Sequence, residues 1–293
     1  PFLLWTLSDC AVLQRMVGMC AEAEKLNSEA LRLSRRLEKS RDPKVLKLWT
    51  GLLLNNRGVI LRCIGLFDEA EECYREAIGG LCEEARDHPE AVTISDFYSA
   101  LLNNIGVLLR KSNRLAAAEE YLTESCKLKR HLADVNPEMF AHGLSIALGN
   151  LGVLLAESNR FTEAEGFMKE SVSIGRALVE EAPDLYLPSL AASLNNLAVL
   201  QKRTGRLSES WKALQEASDI LDDYRSRAPQ VYRHHLAALL SNIALLASED
   251  EKLRKESRII LERLSELRVG ESAHTESWVE EEQEILNPIG PFF

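Results

Sequence analysis

The chain has 293 residues, of which 46% are hydrophobic and 27% charged, and its formal net charge is −10. That balance suits an ordered, largely helical protein and argues against bulk attraction to nucleic acid, whose phosphates need a basic surface. No apolar run reads as a membrane span of ~18–20 residues, and the apolar start "PFLLWTLSDCAVL" lacks the basic leader of a signal peptide.

Along the chain, one pattern returns. Asn56 lies in "LLLNNRGVILRCIGLFDEAEECYREAI", Asn104 in "ALLNNIGVLLRKSNRLAAAEEYLTES" and Asn150 in "IALGNLGVLLAESNRFTEAEGFMKES". Asn196 follows in "ASLNNLAVLQKRTGRLSESWKALQEA" and Asn242 in "ALLSNIALLASEDEKLRKESRIILER". The spacings are 48, 46, 46 and 46, and Asp9 occupies the same slot 47 residues before Asn56. Six units are therefore expected, anchored near residues 9, 56, 104, 150, 196 and 242.

Each unit reads as two helices. Helix A holds the asparagine among apolar residues at helical spacing, such as Leu102, Ile105, Leu108 and Leu109. Nine residues after the slot come Gly65, Asn113, Asn159 and Gly205, residues that adopt left-handed backbone and end a helix. Helix B follows, amphipathic through Ala70, Tyr74 and Ala77 or Ala164, Phe167 and Met168, and Pro137, Pro183 and Pro229 close three of the units. Two turns subtracted from the period leave helices of ~18–20 residues. Gly58, Gly106, Gly152, Ala198 and Ala244, two residues after each Asn, should let helix A approach the small face of helix B at Ala70, Ala118, Ala164 and Ser210. Glu256 falls in that last slot, so the sixth helix B is expected to pack less deeply.

These small residues, with the large residue later in helix B, resemble the tetratricopeptide repeat, lengthened by ~12 residues over its usual period. The "LNNLAVL…GR" phrasing resembles the repeats of kinesin light chain, and the 46-residue period is similar to bacterial arrays fused to signalling proteins. The resemblance implies an all-α, right-handed α-solenoid of about six hairpins over residues 1–270, closed by an acidic capping helix and tail over 271–293. It also implies a non-enzymatic module that binds an extended peptide or protein segment in a concave groove, as the sensor or adaptor arm of a larger signalling protein. A self-assembling scaffold is the competing expectation.

On that resemblance the asparagine slot lies beside the inner surface. An amide donates and accepts, so Asn56, Asn104, Asn150, Asn196 and Asn242 could read a peptide backbone, with Asn55, Asn103 and Asn195 as a second rail. The same amides could instead bond between neighbouring A helices and fix the stacking. Three residues on, Val59, Val107, Val153, Val199 and Leu245 suggest an apolar floor. Arg62, Arg110, Lys111, Lys202 and Arg203 suggest a basic lane that would favour acidic peptides.

The six cysteines form no C-x-x-C pair, and read as reduced core thiols of a cytoplasmic protein. No metal-binding histidine spacing, P-loop or G-x-S-x-G motif is present, so no cofactor, metal or catalytic residue is expected. The last 23 residues contain six glutamates and no Lys or Arg, so they hold −6 of the net charge. "SWVE" reads as a capping box that starts a helix near Ser277, with Trp278, Val279, Ile285 and Leu286 forming one apolar stripe. That segment is expected either to cap the array or to enter its groove.

Overall fold

The computed structural model describes residues 2–16, 18–37, 43–87, 91–225 and 233–265, and among these every regular element is an α-helix. The helices are α1 (Phe2–Met16), α2 (Cys20–Leu37), α3 (Pro43–Cys63), α4 (Phe67–Asp87), α5 (Val92–Lys111) and α6 (Leu115–Val135). They continue as α7 (Pro137–Glu157), α8 (Phe161–Glu181), α9 (Pro183–Arg203), α10 (Leu207–Arg225), α11 (Arg233–Glu249) and α12 (Glu251–Ser265). Odd helices are the A helices and even ones the B helices, six hairpins among the described residues. The fold is the all-α solenoid that the period predicts. Two compact units divide between Val135 and Asn136, a boundary that the repeat pattern does not mark. Unit one stacks α1 to α6, and unit two α7 to α12. The expected capping helix and Pro229 lie outside the described residues.

The first five hairpins turn by the same local chemistry. Asn113 and Asn159 have φ of 57° and 60°, and Gly65 and Gly205 have 79° and 77°. At the third hairpin Arg114 N reaches back to Leu109 O (2.9 Å) and Asn113 N to Arg110 O (2.9 Å), a pair of bonds that satisfies the last carbonyls of the helix. Gly18, with φ of 82°, makes the same closure in the first hairpin, nine residues after Asp9. Pro137 and Pro183 begin α7 and α9 instead of closing the helices before them. Proline lacks the N–H that a first helical residue would leave unpaired, so the position costs nothing. Most of the middle helices run to 21 residues, slightly longer than expected.

Close packing between the two helices is set by the small residues. A Cβ placed on Gly106 would lie 2.6 Å from Leu122 Cγ and 3.3 Å from the Ala118 carbonyl oxygen. One on Gly152 would lie 2.8 Å from Met168 Cγ and 3.2 Å from the Ala164 oxygen. Both helices therefore touch backbone to side chain. In the fifth hairpin Ser210 Oγ donates to the Ala198 carbonyl across the same contact (2.8 Å).

α5 and α7 are long and apolar enough to cross a membrane by length and composition, which revises the reading that no stretch qualifies. Most of each is buried inside its hairpin stack, where that apolar surface is used.

The sixth hairpin departs from the pattern. α12 begins nine residues after Asn242, whereas helix B begins eleven residues after the slot in all five earlier hairpins. Asp250 replaces the left-handed turn, accepting from Lys252 N (2.8 Å) and Leu253 N (3.1 Å) as an N-cap. The shift moves the buried positions to Leu253 and Ser257. Glu256 is exposed, so it does not occupy the small-residue slot, and Ala244 opposite is exposed too.

The packing gives a paired expectation within one hairpin. Gly152→Leu should cost ~2–3 kcal/mol by forcing α7 from α8. Gly166→Ala, where an added Cβ meets nothing within 4 Å, should stabilise α8 by ~0.5–1 kcal/mol. Urea denaturation of the two variants checks both; equal effects would contradict the assigned register.

Candidate interaction groove

The asparagine slot sits where consecutive A helices meet. Asn104 Nδ2 donates to Asn55 Oδ1 (2.8 Å), and Asn242 Nδ2 donates to Asn195 Oδ1 (2.8 Å). Asn56 Nδ2 donates to Ser8 Oγ (3.1 Å), the residue just before the Asp9 slot. The rule is the same each time: the second amide of a unit donates to the residue before the slot in the preceding unit. Asn196 has glycine, Gly149, at that place, and among the described residues its amide makes no side-chain bond. The adjacent Asn55 and Asn56 are thus one acceptor for the helix ahead and one donor for the helix behind.

The expected site residues divide between the units. Unit one holds Asn56, Asn103, Asn104, Arg62, Val107, Arg110 and Lys111. Asn103 and Asn104 are buried, and Arg62 and Val107 are 2% and 1% exposed. These last two do not line an open lane or floor. Every residue of α5 from Ser99 to Leu109 is buried, so that stretch has no open side. Arg110 and Lys111 are half-buried. Unit two holds Asn150, Val153, Asn195, Asn196, Val199, Lys202, Arg203 and Asn242; Asn150 and Asn195 are buried and Val153 half-buried.

Four of those unit-two residues converge. A cavity of about 410 Å³ is lined by Ala198, Val199, Lys202, Arg203, Ser210, Leu214, Asn242 and Leu245, from α9, α10 and α11. Val199 and Leu245 are 36% and 53% exposed, so they present apolar surface to an occupant. Arg203 is held in place: its guanidinium lies 5.2 Å from the Phe161 ring centroid and donates to Asn159 Oδ1 (3.5 Å). The groove therefore has a floor of small and aliphatic residues, a cationic rim and one amide wall.

Sequence reasoning missed a second set of contacts between hairpins. Arg206, directly after the left-handed Gly205, forks onto Glu165 of the preceding helix B, with Nη1–Oε1 2.7 Å and Nη2–Oε2 2.9 Å. Arg114, directly after Asn113, forks onto both oxygens of Glu71 in the same way. The sign was present: both glutamates stand 15 residues after a slot, and both arginines ten. Among the described residues no three His, Cys, Asp or Glu side chains gather as metal ligands.

Residues 50–90, 99–137 and 146–184 each match the family model described as Tetratricopeptide repeat. Those three stretches are tetratricopeptide repeats, and the described residues around them fold as hairpins of the same kind. No curated protein sequence is significantly similar to it. Among solved structures, BtubC (BKLC) from P. vanneervenii is 18% identical with a TM-score of 0.63, over 89% of this chain and 94% of that one. The apo form of RapI is 11% identical with a TM-score of 0.57, over 96% and 98%. A Podosopora anserina protein assigned as a kinesin light chain, with nearly identical TPR-like repeats, is 15% identical with a TM-score of 0.54, over 76% and 96%. At such identities the likeness is one of fold. Tetratricopeptide arrays serve generally as protein–protein interaction modules, their stacked hairpins creating extended surfaces.

The polar contacts generate two expectations. Asn104→Ala leaves the buried Asn55 oxygen without its donor and should destabilise the array by ~1–2 kcal/mol, whereas Asn196→Ala should cost under ~0.5 kcal/mol. Chemical denaturation of the two variants decides it. The guanidinium of Arg206, then the Lys169 ammonium, hold the Glu165 carboxyl down at about 2, against an ordinary 4.5. Because the folded value is the lower one, this stabilisation is complete above the unfolded value and fades as pH falls from about 4.5 towards 2. Glu165→Gln should flatten the pH dependence of the urea midpoint across that window and leave its slope near neutrality unchanged.

Proposed function

We propose that this array is a non-enzymatic interaction module that holds an extended peptide or protein segment in the groove between α9 and α11. The observation that carries the reading is the convergence of Val199, Lys202, Arg203 and Asn242 around one cavity. Two exposed aliphatic side chains beside two cations suit a segment that alternates apolar and acidic residues, and the Asn242 amide offers polar contact to its backbone. The cations would speed encounter and discriminate against basic segments more than they would deepen affinity. An adaptor or sensor arm of a larger signalling protein is the role that such a groove serves, and a cytoplasmic setting suits six cysteines that form no disulfide.

A self-assembling scaffold is the second reading. Met139 and Leu185, both 66% exposed, occupy equivalent positions 46 residues apart on α7 and α9 and give unit two an apolar edge.

The test uses two sets of ~12-residue fluorescent peptides, one mixing acidic with apolar residues and one mixing basic with apolar, titrated at low and high salt. Acidic–apolar peptides should bind, lose affinity with salt, and bind about tenfold more weakly to Val199→Asp and to Lys202→Glu, a loss of ~1.4 kcal/mol. Static light scattering at two concentrations accompanies the titration. Concentration-dependent mass with no binding by either set would favour the scaffold and overturn the groove reading.

A further inference from the structure

The groove lies at the end of the chain that leads into its most acidic segment. A single residue, Asp250, joins α11 to α12, so α12 runs back antiparallel to α11 and its 15 residues carry the chain ~22 Å from that turn. Residues 266–275 can span at most ~34 Å when extended, enough to return from Ser265 to the cavity walled by Asn242 and Leu245. The segment beyond residue 275 has the composition that the cavity would select. Glu276, Glu280, Glu281, Glu282 and Glu284 are interleaved with Trp278, Val279, Ile285 and Leu286, and no Lys or Arg is present after Arg268. The rest of the chain is itself net negative, at −4, so most of the surface repels this segment while Lys202 and Arg203 attract it. Glu209, on the first turn of α10, accepts from Gln201 and Arg206 and so is turned to its own neighbours.

We propose that residues 271–288 occupy the α9–α11 groove of their own chain, the acidic side chains against Lys202 and Arg203 and the tryptophan and aliphatic stripe against Val199 and Leu245. The inference rests on that groove being a peptide site. It makes the array self-inhibited. An incoming segment must displace a tethered competitor, so its apparent affinity falls by the fraction of chains whose groove is vacant. A partner that captures the tail would open the groove to a second ligand.

The test uses the full chain. Zero-length carbodiimide coupling joins a lysine amine to a carboxylate in contact with it, and mass spectrometry locates the link. The expected result is a set of links from Lys202 to glutamates 276–284, weakened by high salt and by Val199→Asp. In mixtures of isotopically labelled and unlabelled protein these links should stay within one chain. Links from the tail to Lys252 or Lys255 of α12 in place of Lys202, or links between chains, would overturn the proposal. A second measurement separates it from the groove reading. The acidic–apolar peptide should bind about tenfold more tightly to a chain carrying Trp278→Ala, Glu280→Gln, Glu281→Gln and Glu282→Gln than to the unaltered chain. Equal binding to both would remove the tail from the groove and leave the groove intact as a site. Binding to neither would remove the groove reading, and this proposal with it.

Discussion

The distance between the two helices of a hairpin, set where a glycine or alanine of helix A meets helix B, determines which other contacts a unit can make. With Gly106 against Leu122 and Gly152 against Met168, side chains as short as serine reach a main-chain carbonyl on the opposite helix. Ser125 Oγ donates to the Ser99 carbonyl (2.7 Å), and Ser145 and Ser171 exchange hydroxyl-to-carbonyl bonds at 3.0 and 2.8 Å. These pairs hold equivalent places 46 residues apart. One period later both positions become alanine at once, Ala191 and Ala217, and both are buried. Each hydroxyl donates to a main-chain carbonyl that any residue at that place supplies, so neither serine depends on the other's side chain and both can give way to alanine. The serine and the alanine solutions therefore serve one geometry.

That spacing propagates outward. Within each compact unit that spacing brings the slot asparagine of one A helix to the residue before the slot of the A helix behind. Asn104 and Asn55 so placed satisfy each other in the interior, where either alone would be costly. The arginine–glutamate forks tie B helices to the following turn on the other side of the stack. Apolar surfaces would tolerate sliding, but a paired amide or a forked guanidinium accepts one alignment, so the polar contacts fix register more than they add stability.

The parts of this arrangement that were legible in the sequence are the ones that repeat locally. A left-handed residue nine after the slot, a small residue two after it and a helical apolar period are each read within ~20 residues, and each recurs often enough to check itself. Orientation was harder. Val107 and Val199 hold the same register place, yet one is sealed within unit one and the other faces solvent in unit two. Arg62 and Lys202 differ in the same way, since how many neighbours cover a helix face is decided by the hairpins around it and not by its own residues. The asparagines were open between ligand contact and helix contact because one amide suits both. The arginine–glutamate forks went unread because each joins residues more than 40 positions apart whose charges look like ordinary solvated surface.

The groove itself grows out of the place where the repeat fails. In the earlier hairpins helix B starts eleven residues after the slot and covers the small residue of helix A, which is why Ala198 is fully buried beneath Ser210. Asp250 caps α12 two residues early, the buried register passes to Leu253 and Ser257, and Ala244 loses the cover that Ala198 has, while Ile243, Leu246 and Ala247 stay buried. Ala244 and Leu245 are left exposed beside Val199, Lys202 and Arg203 of the last regular A helix. A perfect sixth repeat would have buried Ala244 against its own helix B but not Leu245, whose counterpart Val199 is exposed in the regular fifth hairpin. The apolar wall of the groove is thus made by one register place, three residues after the slot, in two consecutive A helices, and the short turn at Asp250 leaves the uncovered Ala244 next to it.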